Sequence, residues 1–324
     1  MSKITVVGAG AWGTALALQA ARAGHKVALV ARDAASAAAI NANRESHRLP
    51  GVRLPDLIEL RHAIPDESEL LLWVVPTQHL RSSLVRLPAT DTATDTAIVV
   101  CAKGVEANTH LLPLEVVQAV VPNRSLAVLT GPNFAHEIAA GLPAAAVVAS
   151  IDASLREQVR TLLGTNTFRL YGNDDPIGAQ LGGAAKNVIA IAAGAVIGAG
   201  LGENARAALV TRGLSELCRL AAALGGRAET VMGLSGLGDL MLTCTGTSSR
   251  NFSLGHALGR GESLATILAN RSAVTEGVLT AAALVARAGE VELPICRAVA
   301  DLVAGVKTLD QSIAQLLSRP QRDE

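Results

Sequence analysis

The chain has 324 residues, half of them apolar, and its 28 basic and 28 acidic side chains balance to a formal charge of zero. That length allows two domains with a core in each, and the neutral balance excludes recruitment of a polyanion by a global field, so any anion site is local. Aromatics are confined to Trp12, Trp73, Phe134, Phe168, Tyr171 and Phe252, too few for a base-stacking nucleic-acid surface, while Cys101, Cys218, Cys244 and Cys296 lie too far apart for a zinc pattern or a disulfide framework.

The first predicted strand, "KITVVG" (3–8), runs into "AGAWGTALA". A positive Lys3 before an apolar, small-residue stretch imitates a secretory leader, but three spaced glycines and a following strand argue for a folded βαβ unit. Gly8, Gly10 and Gly13 have G-x-G-x-x-G spacing between strand and helix. The first permits the tight turn, the second admits a pyrophosphate to the backbone, and the third lets helix and strand pack closely, with free amides at the helix start binding the anion. The second strand, "KVALVA" (26–31), ends in Arg32 and Asp33. NAD enzymes commonly carry an acid there for the ribose 2′-hydroxyl; Arg32 suits a 2′-phosphate instead and tilts the reading toward NADP(H), with Asp33 keeping NAD(H) open.

"NANRESHRLPGVRLP" (41–55) and "LPATDTATD" (87–95) read as loops. Strands follow at 70–75, 97–102, 125–130 and 144–150, giving six in all, alternating with Ala-rich helices. The pattern predicts a Rossmann-type doubly wound parallel sheet, whose C-terminal strand edge is the place for ligands. Two polar interruptions fall at that edge: Lys103 in "CAKGVE", and Gly131 with Asn133 in "LTGPNFAHE".

Past "NDDPIG" (173–178) strand signals largely stop, so the division is placed as a dinucleotide-binding domain, 1–177, and an all-helical domain, 178–324. The latter opens with "QLGGAAKNVIAIAAG", in which Lys186 precedes an apolar run from Val188 to Gly202. That run is shorter than the roughly 20 residues a bilayer requires, so it reads as a core helix. A buried ammonium needs a partner, a route to water or a proton-exchange role. Further on come "GLSGLGDLMLTCTGTSSRN", with Asp239, Ser249, Arg250 and Asn251, and "VTEG", with Val274 and Glu276; the tail "SRPQRDE" has no apolar face and reads as mobile.

Taken in order, "GAGAWGTALA", "KG", "GPNFAHE", "QLGGAAKNVIAIAAG", "TRGLSE", "GLGDLMLTCT", "SSRN" and "EG" resemble the NAD(P)-dependent glycerol-3-phosphate dehydrogenases of the bacterial type, over nearly the whole chain. The resemblance implies hydride transfer between dihydroxyacetone phosphate and sn-glycerol 3-phosphate, serving phospholipid synthesis in the cytoplasm. It implies cofactor contacts from Ala11, Trp12, Arg32, Lys103, Ala135, Arg250, Val274 and Glu276, besides the glycine loop. Substrate contacts are implied for Lys103, Gly131, Asn133, Lys186, Asp239, Ser249, Arg250 and Asn251. Lys186 becomes the proton acceptor, with Lys103 and Asp239 completing the catalytic set. The chain departs from the family at Ala11, where a hydroxyl is frequent, at Asn133, where threonine or serine is usual, and in "SHRLPG", which lacks a frequent tyrosine.

Alcohol oxidation needs a base for the hydroxyl proton, and ketone reduction an acid; a lysine near neutrality serves both. Arg250 suits the phosphate through its planar fork, beside Ser249 and Asn251. The rival readings are a β-hydroxyacid dehydrogenase of related architecture, whose carboxylate substrate fits "SSRN" and "GLGDL" poorly, and a dinucleotide sensor without turnover, which leaves Lys103, Lys186 and Asp239 idle. Partners are therefore expected to be a small phosphorylated substrate, without metal, nucleic acid or membrane insertion, and a homodimer is left open.

Overall fold

The computed structural model describes residues 1–87, 96–271 and 275–320, grouped in two compact units. Met1–Lys103 and Pro113–Ala179 form the first; Gly104–Leu112 joins Gln180–Glu324 in the second, so the short segment after Lys103 does not follow an uninterrupted 1–177 division.

The first unit carries β1 (Lys3–Val7), α1 (Ala11–Arg22), β2 (Lys26–Val30), α2 (Ala34–Asn43), β3 (Glu45–Ser46), β4 (Leu49–Arg53), β5 (Ile58–Arg61), β6 (Leu70–Trp73), α3 (Thr77–Leu84), β7 (Ala97–Val100), α4 (Pro113–Val120), β8 (Leu126–Thr130), α5 (Ala135–Ala140), β9 (Ala144–Ala149), α6 (Ala153–Leu163) and β10 (Phe168–Asn173). Eight strands form one sheet in the order β10-β9-β8-β7-β6-β1-β2-β5, parallel except where β8 meets β9. The central strands are buried throughout, because helices cover a parallel sheet on its faces and β-branched runs fill both. The chain lays β2 and β5 on one side of β1 and then crosses to β6 on the other, which opens the ligand crevice at the ends of β1 and β6.

Two strands escape the sequence reading. In β5, "IELR", charges alternate with apolar residues on a half-exposed edge, and in β10, "FRLYGN", Arg169 and Tyr171 point outward, so neither shows the continuous apolar run of the inner strands. The stretch 41–55 is also not a plain loop: it completes α2 and forms the antiparallel β3–β4 hairpin. Arg44, in the left-handed region at φ 51°, ends α2 and donates to the carbonyls of Leu54, Pro55 and Ile58. Of the stretch 87–95, residues 88–95 lie outside the described residues, as do 321–324 of the tail.

The remaining elements are helical: α7 (Pro176–Gly198), α8 (Gly202–Ala223), α9 (Ala228–Val231), a π-helical turn (Leu234–Gly238), α10 (Asp239–Cys244), α11 (Arg250–Gly259), α12 (Leu264–Ala269), α13 (Glu276–Ala288), α14 (Pro294–Val303) and α15 (Leu309–Leu317). Asp175 starts α7 by accepting from the amide of Gly178 at 2.8 Å, with Pro176 at the first helical position, where its missing N–H costs nothing. The helix is apolar and long enough to cross a membrane, yet its most apolar window is 89% buried inside the fold, which makes it a core helix. It packs on α11 backbone to backbone: side chains at Gly194 and Gly198 would strike the carbonyls of Phe252 and His256, and side chains at Gly255 and Gly259 those of Ile191 and Ala195. On the other side of the unit, Glu216 of α8 caps α14 from outside, accepting from the amides of Ile295 at 2.6 Å and Cys296 at 3.2 Å.

Candidate active site

In the first unit the glycine loop joins β1 to α1 beside the end of β6. Gly8, at φ +114°, leaves no room for a side chain, since a Cβ would sit 2.6 Å from the carbonyl oxygen of Val74, and one on Gly13 would collide with the carbonyl of Gly8. Gly10 is the opposite case, with nothing within 4 Å of an added Cβ. The loop is therefore packed shut on its protein side and bare at Gly10. Helix α1 starts without a side-chain cap, so its first amides face that bare side from Ala11 onward, and the indole N–H of Trp12 is buried without a partner among the described residues. These features fit a dinucleotide pyrophosphate.

At the end of β2 the carboxylate of Asp33 is already engaged: one oxygen caps α2 through the amide of Ser36 at 2.7 Å, and the other meets Nε of Arg32 at 3.1 Å. The Ser36 backbone and hydroxyl, then Arg32, hold it down to about 2. The Arg32 side chain itself is 89% exposed. The group offered to solvent at the end of β2 is thus the guanidinium.

Three residues meet beyond β7 and β8. Lys103 donates through Nζ to the carbonyl of Gly131 at 2.9 Å, and Asn133 donates through Nδ2 to the carbonyl of Ala145 at 3.1 Å, leaving Oδ1 with no partner among the described residues. Gly131 has φ +141°, and a Cβ there would approach Cα of Ala146 at 3.0 Å. Asn133 does not cap the following helix: α5 starts at Ala135 after Phe134, without a side-chain cap.

In the second unit Gly182 and Lys186 lie one turn apart on the same face of α7. Gly182 rests on the π-helical turn, where a Cβ would come within 2.6 Å of the Ser235 carbonyl and 2.8 Å of Cα of Gly236. That turn runs without a break into α10 and delivers Asp239 as the first residue after it. Lys186 and Asp239 form an ion pair with side chains 10% and 0% exposed, and Thr243 donates to the Asp239 carbonyl at 2.6 Å. Cys244, within the field of both charges, is pushed up to about 12 by burial and stays a neutral thiol.

Around α11, Ser249 accepts from the amide of Phe252 as the N-cap, which leaves its hydroxyl proton for another acceptor. Arg250 is exposed. Asn251 donates to Oδ1 of Asn187 at 2.8 Å and accepts from the amide of Gly277 at 3.1 Å, so it caps α13 in place of Thr275. Gly277 has to be glycine, because a Cβ would fall 2.6 Å from Asn251 Oδ1. Glu276 opens α13 next to it, and Val274 lies outside the described residues. The sequence reading quoted "EG" for its acid; the glycine's task shows only when α11 is seen against α13.

Models of the NAD-dependent glycerol-3-phosphate dehydrogenase N-terminus and C-terminus match residues 3–156 and 175–314. The chain belongs to this family. The glycerol-3-phosphate dehydrogenase (NAD(P)+) of Acidiphilium cryptum is 55% identical over 99% of this chain and 98% of its own, and that of Parvibaculum lavamentivorans 50% identical over 99% and 98%. The crystal structure of glycerol-3-phosphate dehydrogenase from Coxiella burnetii superposes with a TM-score of 0.92 at 35% identity, covering 98% of this chain and 99% of that one. Ketopantoate reductase from Ralstonia eutropha, at 18% identity and a TM-score of 0.59, shares the fold alone. This glycerol-3-phosphate dehydrogenase family member is an NAD(P)-dependent oxidoreductase, and the hydroxyacid alternative is not favoured.

Proposed function

We propose that the chain interconverts dihydroxyacetone phosphate and sn-glycerol 3-phosphate, with Lys186 moving the proton at the substrate C2 oxygen. The observation that carries this reading is the buried Lys186–Asp239 pair, Lys186 being the one charged residue of α7. When bound, the nicotinamide takes or gives the hydride at C2. As the neutral amine Lys186 accepts the hydroxyl proton in oxidation and becomes the ammonium that pairs with Asp239; in reduction that ammonium gives the proton to the ketone oxygen. Asp239 keeps Nζ aimed, fixed where the π-helical turn runs into α10. Arg250, the free proton of Ser249 and the remaining N–H of Asn251 take the phosphate oxygens, while Lys103, Gly131 and Asn133 supply further substrate contacts.

The glycine loop, Ala11, Trp12 and Ala135 take the dinucleotide, joined by Lys103, Arg250, Val274 and Glu276. Because Asp33 is committed to α2 and Arg32 is exposed, NADP(H) is the preferred coenzyme. The reaction supplies glycerol 3-phosphate for phospholipid synthesis in the cytoplasm. Following NADPH and NADH absorbance with dihydroxyacetone phosphate and with hydroxyacid-pathway substrates tests the reading. Oxidation only with dihydroxyacetone phosphate supports it, turnover of a hydroxyacid partner overturns the substrate, and no turnover at all favours a dinucleotide sensor.

A further inference from the structure

Arg271, two residues past α12, is marked by no motif in the sequence. Its guanidinium forks across the first turn of α11, Nη1 donating to the carbonyl of Arg250 at 2.7 Å and Nη2 to the hydroxyl of Ser253 at 2.9 Å. Arg250 itself follows directly on the N-cap Ser249. Three sources of positive potential therefore gather at one place: the helix start, Arg250 and Arg271. Burial, and after it the charge of Arg250, hold Arg271 below its usual value, with Glu262 acting the other way. Two guanidinium groups in each other's field repel, and a phosphate dianion beside them relieves that repulsion.

We propose that Arg271 is a positioning residue for the substrate phosphate, gripping the first turn of α11 so that Arg250 is held on target while its own charge deepens the local potential. The proposal rests on the reading of Arg250 as the phosphate anchor. It concerns binding of the charged end of the substrate and leaves the proton and hydride steps to other groups.

The test is steady-state kinetics of Arg271→Gln, Arg271→Lys, Arg250→Gln and the Arg250→Gln/Arg271→Gln double variant, together with NADPH titration by fluorescence. For Arg271→Gln, KM for dihydroxyacetone phosphate should rise about tenfold with kcat within about threefold and NADPH affinity unchanged, because ground-state anchoring is lost and chemistry is not. Arg271→Lys should recover part of the loss, since an ammonium restores charge without the fork. The double variant should be little worse than Arg250→Gln alone, as expected when one residue acts through the other.

If Arg250→Gln raises KM and Arg271→Gln does not, the Arg271 proposal falls while the phosphate anchor stands. If Arg250→Gln leaves KM unchanged, the anchor falls and the proposal with it. If Arg271→Gln lowers kcat and weakens NADPH as much as it raises KM, the residue is merely structural and the proposal falls. Should Arg271→Gln fail to fold, Ser253→Ala removes one arm of the grip while keeping the charge; an unchanged KM there overturns the proposal.

Discussion

Removing the Lys186 amine with Lys186→Ala is expected to lower turnover by about 10² to 10⁴ while coenzyme affinity stays close to normal, because the loss is confined to the acid/base step. Single-turnover kinetics with a parallel NADPH titration checks this, and a folded variant with near-normal kcat would remove Lys186 from the proton path. Asp239→Asn leaves the shape and removes the charge that holds Nζ in place, so its effect should appear in kcat before KM. Arg32 acts at the coenzyme instead. Arg32→Ala should weaken NADPH by about tenfold or more, near 1.4 kcal/mol, and NADH by much less, since only the former offers a 2′-phosphate. Equal losses for the two coenzymes in equilibrium titrations would make Arg32 a bystander.

At the level of elements, the glycine loop separates two roles that its spacing alone merges. Gly13→Ala forces a Cβ into the Gly8 carbonyl and should cost about 1 to 3 kcal/mol, seen as a lower Tm. Gly10→Ala meets open space, so Tm should hold while dinucleotide affinity falls about tenfold, the new methyl standing where the pyrophosphate approaches. A matching loss of Tm in both variants would mean the bare side of the loop is structural too. The cap of α14 adds a pH signature. Burial raises the Glu216 carboxyl above its ordinary 4.5, against the amides of Ile295 and Cys296 that favour the anion. A raised folded value means the native state holds the proton more tightly, so this contribution to stability is full below 4.5 and is lost as pH rises through the folded value. The Tm difference between wild type and Glu216→Gln should therefore shrink as pH climbs from 4.5, and a difference that grows would reverse the assignment.

For the whole molecule, NADPH at a hundredfold excess over its Kd should add about 2.7 kcal/mol of stability by mass action, read as a rise in Tm that Arg32→Ala reduces. The doubly wound sheet was legible in the sequence because its inner strands are apolar on both faces and each is followed by a helix pattern. Strands β5 and β10 were not, since half-exposed edge strands carry charges and aromatics that look like loop residues. Of the candidate site, what was legible is the buried charge in apolar surroundings at Lys186, which the fold pairs with Asp239, and the tight turn written in the spacing of Gly8, Gly10 and Gly13. Partners held by tertiary contact were hidden: nothing near Arg271 in the sequence points to α11, and the glycine of "EG" acquires its reason only from Asn251 two helices away.

The bare backbone crossing of α7 and α11 turns the second unit into a ruler. Lys186 stands on one helix and Arg250 opens the other, and where Gly194, Gly198, Gly255 and Gly259 meet the facing carbonyls the helices touch with no side chain between them. Repacking a seam made of flexible side chains changes a gap by fractions of an ångström; at these glycines a methyl has no room and pushes the helices apart. The spacing of Lys186 and Arg250, the proton-exchanging nitrogen and phosphate anchor of the proposed reaction, is therefore set largely by the main chain. On the proposed roles, a phosphorylated ketone longer by one carbon should be turned over poorly, and Gly255→Ala or Gly194→Ala, which part the helices, should change that length preference as kcat/KM for the two ketones is compared.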